Sequence, residues 1–312
     1  MKRFNTFLAF VILIALFVSG CGSLEKDNGK ISIVCTNFAV YDWVNEIIGT
    51  ENGERFDVKL LSGSGDIHSY QPTAKDMTEI RTCNLFVYIG GTSDEWAEKI
   101  VTEGKVNSLK LFDMLKDDLI CGEHDHGEHE HKVSEYDEHI WLSLKSASKA
   151  VDAICEKLAE VDAASGDTFR NNADVYVKKL SELDAEYLDA VGNSKDKTIV
   201  FADRFPFAYL VRDYGIEAIA AFPGCSADVD ASFDTITKLV NAVDEYGKKT
   251  VLVLENSNQS VANTVIEGSK AKTAEIAVMN SCQMIGEKEI KQGADYLEIM
   301  RKNLDALKSA IE

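Results

Sequence analysis

The sequence predicts an α/β protein of two lobes, each built on a parallel sheet flanked by helices and joined by one long backbone helix. Three observations lead there. Short β-rich runs alternate with segments of helical apolar spacing through the first half of the 312 residues, a pattern that implies a parallel sheet. The same alternation restarts near residue 193. Between the two halves, residues 166–192 run without proline and place Phe169, Ala173, Val177, Leu180, Leu183, Tyr187, Leu188 and Val191 at amphipathic spacing. The expected organisation is a first lobe over 31–165, a linking helix over 166–192 and a second lobe over 193–312.

In the first lobe, Ile31 to Cys35 reads as a strand and Tyr41 to Ile48 as a helix. Phe56 to Leu61 follows as a strand, Thr73 to Arg81 as a helix, Leu85 to Ile89 as a strand closed by Gly90-Gly91, and Glu95 to Val101 as a helix. His139-Ile-Trp-Leu142 is read as a short apolar strand leading to a helix over Ser146 to Leu158. At 1.5 Å per residue, a linking helix of about 25 residues spans roughly 40 Å, enough to act as a stiff rod between lobes. In the second lobe the strands are Thr198 to Ala202, Ile216 to Ala221, Thr250 to Leu254 and Glu275 to Met279. The helices are Ala208 to Tyr214, Phe233 to Tyr246, Asn263 to Lys270 and Tyr296 to Ile311. The halves share a layout without a sequence repeat. In such sheets a ligand sits beyond the carboxyl ends of the strands.

The first twenty residues carry Lys2 and Arg3, the apolar run Phe7 to Val18, then Ser19 and Gly20 before Cys21. This reads as a secretory signal, since about twelve apolar residues are too few to span a bilayer. Gly22 to Lys30 is polar and Gly-containing, as a tether would be. The formal charge is −19. Loss of residues 1–20 removes two positive charges and brings it to −21, which speaks against a nucleic-acid partner. Besides Cys21 there are six cysteines, and their spacing selects no disulfide pairing.

All six histidines point to metal. His68 and His139 stand alone, while His124, His126, His129 and His131 crowd the stretch Cys121-Gly-Glu-His-Asp-His-Gly-Glu-His-Glu-His131 within a loop over 121–132. Imidazole and carboxylate are donors that Zn²⁺ accepts, and copper or nickel would bind them too. Loop histidines bind only when neutral, so capture should weaken below about pH 6.5. After the strand Val251 to Leu254, Glu255 is a carboxylate released at a strand end. Asp203 follows the Thr198 to Ala202 strand directly.

Gly65-Asp-Ile-His68-Ser-Tyr-Gln-Pro72 and Asp137-Glu-His139-Ile-Trp-Leu142 resemble the two histidine segments of solute-binding lipoproteins that serve zinc and manganese ABC transporters, the cluster A-I metal-binding family. The order of segments resembles that family along the whole mature chain, and the histidine-rich loop resembles its zinc branch. Val18-Ser-Gly-Cys21 resembles a bacterial lipobox, which implies cleavage before Cys21 and lipid on its sulfur and new amino group. The family usually places a histidine or glutamate where Phe201-Ala-Asp203-Arg204-Phe-Pro-Phe207 has Arg204. A guanidinium offers no lone pair, so Asp203 is the nearest replacement. The resemblance implies a metal site of His68, His139, Asp203 and Glu255, with Glu255 alternatively a carboxylate that orients a histidine. Asn280 stands where manganese-type relatives supply an aspartate and is read as lining.

The reading is a lipid-anchored, non-enzymatic receptor on the outer face of the bacterial cytoplasmic membrane, which captures Zn²⁺ and delivers it to an ABC permease with its ATPase. Mn²⁺ is also compatible with two imidazoles plus oxygen. The alternatives are a manganese or iron receptor of the same fold, a metal-buffering or adhesin lipoprotein, and a zinc hydrolase with Asp203 or Glu255 as base. No His-Glu-x-x-His spacing supports the last.

Overall fold

Two four-stranded parallel sheets with the same strand order frame the molecule. The computed structural model describes residues 29–61, 65–121, 136–224 and 231–311, and the chain divides into the units Met1–Lys30 and Ile31–Glu312. The signal sequence, Cys21, tether residues 21–28 and the histidines at 124, 126, 129 and 131 lie outside the described residues. No helix among the described residues is long and apolar enough to cross a membrane.

The first sheet contains β1 (Ile31–Cys35), β2 (Phe56–Leu60), β3 (Leu85–Tyr88) and β4 (Ser108–Lys110) in the order β2-β1-β3-β4. Helices α1 (Phe38–Asn52), α2 (Ala74–Thr82), α3 (Glu95–Gly104) and α4 (Leu111–Met114) connect its strands and follow β4. Then come α5 (Leu144–Val161) and the long α6 (Gly166–Asn193). The second sheet contains β5 (Thr198–Phe205), β6 (Glu217–Pro223), β7 (Thr250–Leu254) and β8 (Glu275–Met279), ordered β6-β5-β7-β8. It is accompanied by α7 (Ala208–Tyr214), α8 (Phe233–Tyr246), α9 (Ser260–Gly268), α10 (Glu287–Lys291) and α11 (Tyr296–Ile311).

In each sheet the first strand has the second on one side and the third on the other. The order therefore reverses beside β1 and beside β5, and such reversals leave a crevice at the carboxyl ends of the strands. The inner strands β3 and β7 are buried at every position, which is why Leu85-Phe-Val-Tyr88 and Thr250-Val-Leu-Val-Leu254 read as nearly unbroken apolar runs. Local chemistry sets the helix starts. Asn37 Oδ1 accepts from the Ala39 amide at 2.7 Å to open α1, and Thr73 and Asp76 form a reciprocal capping box for α2.

Helix α6 buries Phe169, Ala173, Tyr176, Leu180, Leu183, Tyr187 and Val191, a stripe stepping by three and four residues. It packs on α1 and α5 at one end and on α11 at the other. Asn172 Nδ2 donates to the Ile47 carbonyl in α1 at 3.1 Å, and Tyr187 Oη donates to the Met300 carbonyl in α11 at 2.6 Å. One continuous apolar cluster therefore includes residues of both sheets. The expected rod is thus also the wall both lobes share.

Several expectations shift. Ile140–Leu142 forms a 3-10 turn rather than a strand, because Ser143 caps α5 immediately afterwards by accepting the Ser146 amide at 3.0 Å. Strand β5 continues to Phe205, so Asp203 and Arg204 lie within it, and α9 begins at Ser260 rather than Asn263. The short elements β4, α4 and α10 carry too few residues to show a period. Cys35, Cys83, Cys121, Cys155 and Cys282 are free thiols.

Where α1, α6 and α11 meet, Asp42 accepts from Tyr176 Oη at 3.2 Å. Burial, reinforced by Asp295 and Glu46, pushes its carboxyl from an ordinary 3.8 to about 7, against the opposing hydrogen bonds of Tyr176 and the Tyr296 amide. Between these two values the native protein keeps a proton that the unfolded chain has released, so this residue lowers stability as pH rises through the window. Asp42→Asn is expected to flatten that decline. Relative to wild type it should gain on the order of 1–3 kcal/mol between pH 4 and pH 8, measured by urea unfolding at both pH values.

Candidate metal centre

His68 lies in a 3-10 turn, Ile67–Ser69, in the connection after β2. Asp66 opens that turn, and its Oδ1 accepts the His68 amide at 3.0 Å. His139 directly precedes the Ile140–Leu142 turn and is fixed in the same way, with Asp137 Oδ1 accepting its amide at 2.8 Å. Two unrelated segments, 71 residues apart, thus bring their imidazoles together with the Nε2 atoms at 3.2 Å. The residue His139 is only 4% exposed, whereas the His68 side chain is 22% exposed and forms the open side of the pair.

Each ring is held from behind by a carboxylate. His139 Nδ1 is 2.9 Å from Asp137 Oδ1, and His68 Nδ1 is 2.9 Å from Glu138 Oε1 and 2.8 Å from Ser93 Oγ. A ring that donates from Nδ1 presents its Nε2 lone pair on the far side. Both lone pairs then point into one small volume. Two nitrogens at about 2.05 Å from a tetrahedral Zn²⁺ are separated by about 3.3 Å, close to the separation found here.

Glu138 receives the Ser93 amide at 2.8 Å and the Ser93 hydroxyl at 2.7 Å. Burial works to raise its carboxyl, but His68, His139 and the Ser93 amide outweigh it and hold the group down at about 2. Ser93 is itself placed by its neighbour Asp94. The Asp94 Oδ2 accepts from the Ile89 and Gly90 amides at 2.8 and 3.2 Å and from Thr36 Oγ1 at 3.2 Å, stapling the ends of β3 and β1. Glu138 and Ser93, which hold His68, are not among the candidate residues named from the sequence. Glu138 stood inside the histidine motif, while nothing in the local sequence marks Ser93.

The second lobe presents its own residues at strand ends. The pairing of β5 with β6 shifts register between Phe201 and Arg204, a bulge of the kind that re-aims side chains next to sites. Asp203 lies at this bulge, and its Oδ1 accepts the Arg204 amide at 2.8 Å. Arg204 Nη1 reaches Asp66 Oδ2 at 3.3 Å. Glu255 follows β7 and accepts the Ser281 amide at 3.0 Å and the Ser281 hydroxyl at 2.7 Å. Burial raises its carboxyl, and those bonds together with the charge of Arg204 oppose the rise. Asn280 turns its Oδ1 to the Cys282 amide at 2.8 Å.

Trp141 joins this side to the histidines. Its Nε1 donates to the Ser281 carbonyl at 2.8 Å, and its ring centroid is 5.2 Å from that of His139. Of the four expected ligands, the structure brings His68 and His139 together. Among the described residues no group of three or more His, Cys, Asp or Glu side chains is arranged to hold a metal ion, so Asp203 and Glu255 do not join the pair in such a group.

Residues 33–310 match the model of the family described as ZnuA, zinc-uptake complex component A, periplasmic. The chain belongs to the ZnuA family. This family comprises solute-binding receptors of transport systems rather than enzymes. The chain is 32% identical over 320 residues to the zinc-binding lipoprotein AdcA of Streptococcus pneumoniae strain R6, an alignment covering 100% of this chain and 62% of AdcA. It therefore spans less than two thirds of that longer relative. It is 30% identical over 309 residues to the high-affinity zinc uptake system protein ZnuA of Bacillus subtilis, covering 95% of this chain and 94% of that protein. The crystal structure of Zn(II)-bound AdcA from S. pneumoniae superposes with a TM-score of 0.72 at 31% identity, over 91% of this chain and 58% of that one. The metal-dependent lipoprotein YcdH of B. subtilis gives 0.75 at 26% identity, over 91% and 100%. The two-lobed α/β architecture expected from the sequence is the architecture of this ZnuA-like fold.

Proposed function

We propose that this ZnuA-family chain captures Zn²⁺ outside the cytoplasmic membrane and delivers it to an ABC permease with its ATPase, held to the membrane by lipid on Cys21. The observation that carries the reading is the His68–His139 pair, with Nε2 atoms 3.2 Å apart and both Nδ1 atoms held by carboxylates. Such support orients an imidazole and raises its basicity before the ion arrives, so little reorganisation opposes capture. The likeness to a zinc-binding lipoprotein at 32% identity and to a zinc uptake system protein at 30% supports the choice of ion.

In this reading His68 and His139 take the ion first. Asp203 and Glu255, from the strand ends of the second lobe, supply the oxygen side of the site after local shifts of their carboxylates. Two carboxylates with two neutral imidazoles balance a divalent charge. The histidines at 124, 126, 129 and 131 collect metal and pass it inward.

Calorimetric competition with zinc and manganese on the full chain in detergent tests this. One tight zinc site should persist after deletion of residues 123–131, with manganese weaker. Binding that vanishes with the loop would leave a surface metal buffer instead. Glu138→Gln keeps the shape of the acid but removes the charge behind His68 and weakens its grip on Ser93. It is expected to lower zinc affinity about 10- to 100-fold, the usual range for partners that orient a ligand. An unchanged affinity would show that Glu138 has no such role.

A further inference from the structure

Arg204 stands where the resemblance expects a metal ligand, yet it brings a fixed positive charge. Its guanidinium crosses from β5 in the second lobe to Asp66 in the first, with Nη1 3.3 Å from Oδ2. Asp66 is the residue whose other oxygen accepts the His68 amide. The cation is therefore one carboxylate removed from the segment that carries a proposed ligand. It also lies within electrostatic reach of Glu255. The two side chains of the pair are 26% and 23% exposed, so solvent screens them less than it would a surface pair.

We propose that Arg204 is a resident cation of the cleft: it pairs with Asp66 across the two lobes and makes zinc capture an exchange of one cation for another. The inference rests on the zinc reading of the histidine pair. Zn²⁺ placed between His68 and His139 is repelled by the guanidinium and competes with it for Asp66 and Glu255. The sign of the effect follows. Arg204 weakens zinc binding and speeds its release, which suits a receptor that has to surrender its cargo. A second charge within about a nanometre of a divalent ion, in partly shielded surroundings, is worth about tenfold or more in affinity.

The test measures zinc affinity on the full chain by competition with a chromophoric chelator, and zinc dissociation by stopped-flow chelator chase. Arg204→Gln is expected to bind zinc at least about tenfold more tightly and to release it correspondingly more slowly. Arg204→Met, a second neutral side chain of similar length, should do the same, while Arg204→Lys, which keeps the charge, should stay near wild type. Structural damage weakens binding, so a gain separates the proposal from simple disruption, and thermal unfolding of each metal-free variant shows that the fold persists. Equal or weaker binding by both neutral variants overturns the proposal, as does a lysine variant that behaves like them. The His68→Ala/His139→Ala protein separates the two levels of the argument. If it binds zinc as wild type does, the histidine site itself fails; if it loses zinc while Arg204→Gln and Arg204→Met show no gain, only the role of Arg204 fails.

Discussion

Replacing His68 or His139 with alanine is expected to lower the affinity of the high-affinity zinc site by more than about a hundredfold, and replacing both to abolish that site. A four-ligand zinc site in a small domain is worth about 10–16 kcal/mol, so one imidazole carries a few kcal/mol, or at least two decades in affinity. The pair is the part of the site already assembled, with both rings aimed by Asp137 and Glu138. Removing either leaves a single imidazole and carboxylates on another lobe. The fold should survive, since His68 is partly exposed and alanine at His139 leaves Trp141 and the apolar cluster around it in place. Calorimetry after deletion of residues 123–131 separates this loss from binding by the loop histidines. Equal affinities in wild type and the double variant would contradict the assignment.

Trp141→Ala is expected to be the most destabilising single change near the site. Trp141 is 1% exposed and sits between the histidine pair of the first lobe and Ser281 of the second. Its indole Nε1 holds the Ser281 carbonyl at 2.8 Å, its own carbonyl accepts from Tyr296 Oη at 2.5 Å, and its ring lies against His139. Loss of a buried tryptophan costs about 3–5 kcal/mol through lost burial and the cavity left behind. Ser281 is also the residue that holds Glu255, so the same change should loosen the carboxylate side and weaken zinc binding. Trp141→Phe fills most of the volume but lacks the donor and should cost about 1–3 kcal/mol, the penalty for an unsatisfied buried acceptor. Urea unfolding of both variants checks the order. If Trp141→Ala lost less than Trp141→Phe, the account of this junction would be wrong.

The architecture was legible where one residue pattern had one physical outcome. Val251-Leu-Val-Leu254 lies in a strand buried at every position, and its apolar run announces that. The stripe from Phe169 to Val191 steps by three and four, which permits only a helix with one buried face. The reading failed where a short apolar run has two outcomes. Ile140-Trp-Leu142 has strand chemistry, but the cap at Ser143 tightens it into a 3-10 turn. The sequence puts Asp203 just after a strand, since nothing in it shows that β5 continues through a bulge to Phe205.

The site was legible as residue types and only partly as geometry. His68 and His139 stand outside the acidic tract in the sequence, and they do converge. Their support was not legible: Ser93 is 45 residues from Glu138 and 25 from His68 in sequence, and Ser281 is 26 from Glu255. Those contacts form only in the folded chain, between connections that follow different strands and, for Glu138, the segment just before the Ile140–Leu142 turn. Arg204 was visible as a misfit in the sequence, but its partner Asp66 belongs to the other lobe, 138 residues away.

The most direct test of the central claim is zinc K-edge X-ray absorption on the full chain loaded with one equivalent of zinc. Two imidazole nitrogens at about 2.0–2.1 Å with oxygen donors at about 2.0–2.2 Å completing the shell are expected, and the imidazole signal should fall away in the His68→Ala/His139→Ala protein. A shell of three or four imidazoles, a sulfur donor, or a spectrum unchanged in the double variant would place the ion elsewhere and contradict the account.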